Sequence, residues 1–514
     1  MRLKEQQGVF ILIGLCFLVG MLARLYPLTQ EARLLSAISE DGYLMMTIAR
    51  NIALGLGMST AEGTIATNGT QPFVTGIWTL IYSFFDGDKI RSIWAIWGVH
   101  LLISIATMMM IAHVVHQFFS DHPQVQLMAW IAPAVWFISP TVLPMTYNGL
   151  ETGFYALWAL GLTYVVSFHY RDLNLKLALG LGVLLGAVFW IRNDAVFLIL
   201  AICLSYAVFN GWKIKNLLII SVMGLTSIAV ASPWLIYNKT QFGSLMPISG
   251  SAQALTAKLG DNFIHVPAAL FEYINLILAI PEKFKLHTVI VIITSIIAVL
   301  LYSSLLYVVK KYAQPAQQRF ISIFIFYSIC LMLFYGLYFG AAYFIPRYFL
   351  VFTGFFAILW AWLAITFIPR LPFSFLRYSV VGLCFVIATG LIIRYERLLD
   401  TRTNGHFQVV NWIAENVPSE AWVGAVQTGT IGYFHDRTIN LDGKVNPYAY
   451  YARRDDQLVE YILDCTNKID YIADWYKIKE WLVSYPELAN AFSLPYSNEA
   501  ENISVLQRIH SCQK

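Results

Sequence analysis

"ISEDGYLMMTIARNIALGLG", residues 38–57, sets two adjacent carboxylates, Glu40 and Asp41, at the head of a stretch whose apolar residues Leu44, Ile48 and Ile52 recur at helical spacing before the run breaks at Gly55 and Gly57. Ser39, Glu40 and Asp41 are good N-terminal residues for a helix starting near Gly42, and negative charge there stabilises by under about 1 kcal/mol. Capping alone accounts for the pair. A carboxylate at a helix N-terminus is also suited to act as a general base, or as a hard ligand for a divalent cation. The two roles are compatible, so the rest of the chain has to decide between them.

The stretch follows shortly after a strongly apolar segment, in a chain of 514 residues that is 58% hydrophobic and only 12% charged. A soluble domain carries about 25% charged residues, so this is a membrane protein. The net charge of +4 is too small to point to nucleic acid as a partner. With roughly 20 residues needed per crossing, apolar segments fall near 8–26, 92–118, 125–140, 152–170, 177–191, 194–210, 217–237, 286–309, 320–340, 347–368 and 378–395. That makes about eleven transmembrane helices, the pair flanking Arg192 being short. With the N-terminus inside, the inside loops collect Arg171, Lys176, Lys213, Lys215, Lys310, Lys311, Arg319, Arg370 and Arg377, while the short outside turns hold Arg192 and Arg347. This asymmetry sets the orientation. "MLARLYPLTQ" lacks a small-residue cleavage pattern, so the first span reads as retained.

Three long segments leave the membrane on one side: the outer loops 27–91 and 238–285, and the tail 396–514. The tail alternates polar helix-like stretches with short β-branched or aromatic runs, as in a small soluble α/β domain. The chain therefore divides into a membrane domain, 1–395, and an extracytoplasmic domain, 396–514. Cys16, Cys203, Cys330 and Cys384 fall in spans and read as packing residues. Cys465 and Cys512 share the tail, and a disulfide between them would need an oxidising compartment.

A charge near mid-bilayer costs at least about 2.5 kcal/mol, which gives weight to Glu151 in "YNGLETGFY", Arg192 and Asp194 in "WIRND", and Arg347 in "YFIPRYF". Each alone fits a snorkelling or paired interfacial charge. Together they share the face that holds Asp41. Carboxylates plus arginines there suit an anionic lipid head group and a hydroxyl acceptor, since arginine recognises phosphate through forked, charge-assisted hydrogen bonds. "TNGTQPF", 67–73, is a polar turn entering an apolar run. It carries an Asn-X-Thr triplet, as does "NKT" at 238, of consequence only in a glycosylating compartment. The chain has neither a phosphate-cradling glycine loop followed by lysine, nor a Cys-X-X-Cys pair, nor a His-Glu-X-X-His helix.

"EDGYLMMTIARNIALGLGMSTAEGTIATNGTQPF" resembles the first outer loop of lipid-linked, polyprenyl-phosphate-sugar-dependent glycosyltransferases of the GT-C fold. It is similar to bacterial and archaeal members with Asp-Asp or Glu-Asp, an aromatic, Ala-Arg-Asn, Gly-X-Gly and Thr-Asn-Gly in order. "GLET" at 149–152, "RND" at 192–194, "FGSLMP" at 242–247 and "PRYFL" at 346–350 resemble motifs of the same group, which includes terminal arabinofuranosyltransferases. "GTIGYFHDRTINLDGKVNP" is similar to the outer-domain segment that often ends such enzymes. The resemblance implies a polytopic α-helical GT-C-like membrane domain with a small C-terminal α/β domain.

The activity it implies is inverting transfer of a hexosyl or pentosyl group from a polyprenyl-phosphate donor to a hydroxyl of an envelope glycan, lipid or protein, on the outer face of a bacterial inner membrane. In that mapping Asp41 is the base and Glu40 its partner. Arg192 and Arg347 hold the donor phosphate, and Glu151, Asp194, Asn68 and Gln71 orient sugar or acceptor. Members of the family differ in metal use, which leaves a divalent cation open. The chain departs from its relatives at Gln253, where lysine is frequent, and in "RND" for a more usual Arg-Pro-Asp or Arg-Pro-Glu. Two other readings compete: a lipid-linked sugar transporter or flippase, which would show repeated halves and a midplane site, and a non-catalytic envelope assembly protein on the same fold. The sequence carries no half-to-half repeat.

Overall fold

The computed structural model describes residues 3–168, 173–311, 313–338, 345–371, 373–400 and 406–510. Cys512 lies outside them; Cys465 is disulfide-bonded.

Eight helices among the described residues are long and apolar enough to cross a membrane: Gln7–Thr29, Lys89–Phe118, Asn193–Asn210, Ile214–Phe242, Thr288–Lys311, Pro315–Leu337, Leu350–Arg370 and Phe375–Asp400. The other three expected spans are shorter helices, Val125–Phe137, Thr152–Phe168 and Leu175–Ile191, of 13, 17 and 17 residues. At 1.5 Å per residue these reach only about 20 to 26 Å, against a hydrocarbon core of about 30 Å. The chain between the first two of them, residues 138–151, is a run of turns around a short 3-10 helix, Leu143–Thr146, instead of a continuous α-helix.

Because lipid is as apolar as a leucine side chain, packing inside the bundle rests on close van der Waals fit. Phe324 and Phe355 stack with centroids 3.6 Å apart and planes 3° from parallel, and Trp78, Trp97 and Trp136 are fully buried. Thr288–Lys311 and Phe375–Asp400 bury only 11% of their most apolar windows and form the rim. The last of these helices runs to Asp400, past the expected boundary at 395. Its Asp400 carboxylate accepts from Arg33 Nε at 2.5 Å and Tyr26 OH at 2.8 Å, which ties it to the end of the first span.

The loop after the first span, 27–91, is more structured than its polar sequence implies. Helices Glu31–Ala37 and Glu40–Ala53 are followed by a two-stranded hairpin, β1 (Ser59–Thr60) and β2 (Ile65–Ala66), and by an apolar helix, Pro72–Phe84. The hairpin turns through Ala61, Glu62 and Gly63, all at positive φ. Its Ala61 and Ile65 enter the core of the tail domain beside Ile439 and Leu441.

That tail domain is α/β, as expected. Its strands are β3 (Val423–Ala425), β4 (Thr438–Asn440), β5 (Tyr471–Asp474), β6 (Phe492–Asn498) and β7 (Ile503–Arg508), in the order β4-β3-β5-β7-β6. β3 pairs parallel with both β4 and β5, while β5–β7 and β6–β7 are antiparallel. The carboxyl ends of β3 and β4 turn toward the membrane domain. Thr430, beyond β3, gives both its N–H and its hydroxyl to the Glu40 carboxylate. Tyr433 meets Tyr82 hydroxyl to hydroxyl at 2.8 Å, and Arg50 and Lys89 both reach Asp436, at 3.2 and 2.9 Å.

Candidate active site

Local chemistry fixes Asp41 on the first turn of helix Glu40–Ala53. Ser39 Oγ accepts the Gly42 N–H at 3.1 Å and so caps the helix. The Ser39 N–H and hydroxyl both donate to the Asn148 carbonyl, at 3.0 and 2.9 Å. Gly42 is required by that crossing, because a Cβ there would stand 2.2 Å from the Asn148 oxygen. Trp78 Nε1 donates to the Gly149 carbonyl at 3.1 Å. The helix start and the turn carrying Glu151 are thereby locked to one another.

Asp41, Glu151, Arg192, Asp194, Arg347 and Gln71 line one cavity of about 490 Å³, within the range of small-ligand sites. Two arginine clusters organise it. In the deeper one Arg192 donates to Glu151 Oε1 at 2.7 Å, to Asp194 Oδ1 and Oδ2 at 3.0 and 2.7 Å, and to Tyr335 OH at 3.2 Å. Tyr335 in turn donates to Asp194 at 2.6 Å. In the shallower one Arg347 Nη1 donates to Asp41 Oδ2 at 2.5 Å and Nη2 to Tyr348 OH at 3.3 Å. Tyr335 and Tyr348 stack at 4.1 Å and join the two. Exposure separates the clusters: the side chains of Arg347 and Asp41 keep 22% and 25%, against 6% for Arg192.

The acidic pair divides its work. Asp41 faces the cavity. Burial pushes its carboxyl up, but the charges of Arg347 and Lys444 outweigh that and hold it below the ordinary aspartate value. Glu40 is absent from the cavity lining and turns to Thr430 of the tail domain; burial pushes its carboxyl above the usual range. Asn68 is also placed elsewhere. It is fully buried, its amide donating to Asn238 Oδ1 at 3.0 Å and accepting from Ile248 N at 2.9 Å, so it pins the loop 27–91 to the end of helix Ile214–Phe242 and the segment that follows it. The two Asn-X-Thr asparagines are thus bonded to each other.

Two cavity residues, Asn193 and Lys444, escaped the sequence reading, and a third, Gln253, entered it only as a departure from the relatives. Asn193 sits inside the "RND" motif, between the two residues read from it. Its Oδ1, like Gln71 Oε1, is a buried acceptor with no hydrogen-bond partner among the described residues. Gln253 lines the cavity as well, and Lys444 reaches it from the tail domain. No group of three or more His, Cys, Asp or Glu is placed to hold a metal ion among the described residues. The three cavity carboxylates each face an arginine, so as arranged they do not fit a divalent cation.

A family profile described as "Domain of unknown function (DUF8728)" matches residues 393–505. A search of curated protein sequences finds no match. Among solved structures, ArnT from Cupriavidus metallidurans bound to undecaprenyl phosphate superposes with a TM-score of 0.58 at 10% identity, covering 97% of this chain and 98% of that one. Its apo state gives 0.59 at 10% identity, over 98% of each chain. The Archaeoglobus fulgidus oligosaccharyltransferase in complex with zinc and sulfate gives 0.52 at 13% identity, over 93% of this chain and 69% of that one. At such identities the likeness establishes the fold: this is an integral membrane protein of the GT-C fold carrying a small C-terminal domain.

Proposed function

We propose that the protein transfers a sugar from a polyprenyl-phosphate carrier to a hydroxyl acceptor, with inversion at the anomeric carbon, on the outer face of a bacterial inner membrane with the N-terminus cytoplasmic. The observation that carries this reading is the Asp41–Arg347 pair at the open side of the cavity. An anion-binding guanidinium and a carboxylate base stand side by side there, in a fold shared with a protein solved with undecaprenyl phosphate.

In the reaction, Asp41 accepts the proton of the acceptor hydroxyl as its oxygen attacks the anomeric carbon. The bond from that carbon to the phosphate oxygen breaks, and the phosphate leaves with the electron pair. Arg347 meets the charge that grows on it. In the resting site Arg347 depresses the basicity of Asp41, so an arriving phosphate that draws the guanidinium away restores the base where it is needed. Arg192 is committed to Glu151, Asp194 and Tyr335, which assigns it to building the floor; withdrawing it would leave two buried carboxylates uncompensated. The unpartnered acceptors of Gln71 and Asn193 suit sugar hydroxyls.

The test is mass spectrometry of envelope glycans and lipid-linked sugars from cells carrying the native protein, Asp41→Asn or a deletion. Loss of one sugar residue in both altered strains, with its lipid-linked donor accumulating, supports the assignment. A normally expressed Asp41→Asn protein that leaves the glycans unchanged overturns it.

A further inference from the structure

Three cations line the cavity among the described residues, and two of them belong to the membrane domain. The third, Lys444, comes from the tail domain, on the turn that follows β4. In sheets with parallel strands, ligands collect outside the carboxyl ends of the strands, where the strand order reverses. Here β3 lies between β4 and β5, and the carboxyl ends of β3 and β4 are the edge turned toward the cavity.

The turn is held by many bonds. Gly443 N donates to Asn440 Oδ1 and Lys444 N to Asp442 Oδ1, each at 2.9 Å, and Arg453 Nη1 donates to the Asp442 carbonyl at 2.5 Å. Asn446 donates to the Asn440 carbonyl at 2.8 Å and caps the next helix. The turn also fits its neighbour closely: a Cβ on Gly69, in the Thr-Asn-Gly-Thr turn of the first outer loop, would stand 2.3 Å from the Lys444 carbonyl oxygen.

We propose that Lys444 binds the phosphate of the lipid-linked substrate together with Arg347, so that the tail domain completes the anion site of the membrane domain. This rests on the polyprenyl-phosphate reading above. The charges select Lys444 for the role. Arg192 cannot leave Glu151 and Asp194 without stranding them, and Arg347 alone must also answer to Asp41. Lys444 Nζ rests 3.1 Å from Asp442 Oδ2, and Asp442 does not line the cavity. When the ammonium swings to a phosphate, Asp442 keeps the Lys444 N–H on its other oxygen. The exchange therefore leaves no buried carboxylate without a partner. Its charge already reaches the site, since Lys444 helps to hold the Asp41 carboxyl down.

The experiment uses the full-length protein in nanodiscs and measures binding of undecaprenyl phosphate, inorganic phosphate and undecaprenol by native mass spectrometry. Thermal melts of each variant report whether it folds. Lys444→Gln is expected to weaken undecaprenyl phosphate binding about tenfold or more and to leave undecaprenol unchanged, with Lys444→Arg restoring most of the loss. Asp442→Asn keeps the acceptor for the turn but releases the ammonium, so it should tighten binding, a sign that a purely structural role would not produce. Lys444→Gln binding like the native protein, while Arg347→Gln loses affinity, overturns this inference and leaves the proposed function standing. Lys444 dependence seen only with inorganic phosphate overturns the lipid assignment. A native protein that does not distinguish undecaprenyl phosphate from undecaprenol overturns the donor reading and this inference with it.

Discussion

The Asp41 carboxylate and the Arg347 guanidinium, 306 residues apart in the chain, meet at 2.5 Å at the open side of the cavity. Each restrains the other: the arginine lowers the basicity of the aspartate, and the aspartate occupies the arginine. Asp41→Asn should therefore split two properties that ordinarily fall together. Transfer drops by roughly 10²–10⁴-fold with the loss of the proposed base, while affinity for undecaprenyl phosphate rises because Arg347 loses the carboxylate hydrogen-bonded to it. Parallel turnover and binding measurements check this; a fall in both would assign Asp41 to substrate positioning instead.

Arg192 carries a different expectation. Its Glu151 and Asp194 partners are as deeply buried as it is. Arg192→Met leaves two carboxylates without a counter-charge and should cost about 3–5 kcal/mol, read as a large drop in melting temperature in detergent. Replacing the three together, Arg192→Met with Glu151→Gln and Asp194→Asn, should recover much of that stability without recovering activity.

The carboxylate–arginine constellation was legible in the sequence because charged residues bordering apolar segments have few inexpensive solutions. Asp41, Glu151, Arg192, Asp194 and Arg347 do share a cavity, as their common face implied. What the sequence hid are relations set by tertiary crossings. Glu40 and Asp41 are neighbours in the chain, but successive helical residues point about 100° apart, and only the docked tail domain determines which of them looks inward. Asn68 reads as a polar loop residue until Asn238 and the Ile248 N–H meet it. Lys444 is an ordinary lysine in a tail turn, brought to the site by a domain interface that no local pattern encodes. Val125–Phe137 and Thr152–Phe168 illustrate the same limit, since composition reports that a segment is apolar but not how far it runs as helix; Leu175–Ile191 already reads as short in the sequence.

Glu40 gives a pH dependence with a defined sign. Its folded value lies above the ordinary 4.5 because burial disfavours the charged form. The stabilisation from its protonated form is complete below 4.5 and is lost as pH rises through the raised folded value. Attachment of the tail domain should accordingly strengthen on mild acidification from neutrality. Asp41 has the opposite sign: its pairing stabilises above the ordinary 3.8 and is lost as pH falls through its depressed folded value. Hydrogen exchange of residues 429–434 across pH is the measurement, and Glu40→Gln should flatten the upper limb. If the variant follows the native profile, another group governs the interface.

Asn68 and Gln71 lie in one turn and bear the same expectation from resemblance, yet their surroundings predict opposite behaviour. Asn68→Ala leaves the Asn238 amide oxygen and the Ile248 N–H buried without their partner. It should cost about 1–3 kcal/mol and loosen the loop 27–91 from the segment after helix Ile214–Phe242, lowering the melting temperature and weakening every ligand alike. Gln71→Ala removes an acceptor that bonds nothing else among the described residues, so stability should hold while the KM for the sugar donor rises. A competition series of donors differing by single hydroxyls separates the two. Gln71→Ala should lose discrimination at one hydroxyl, whereas Asn68→Ala should keep the native order of preference, and a changed order in Asn68→Ala would return that residue to the sugar site.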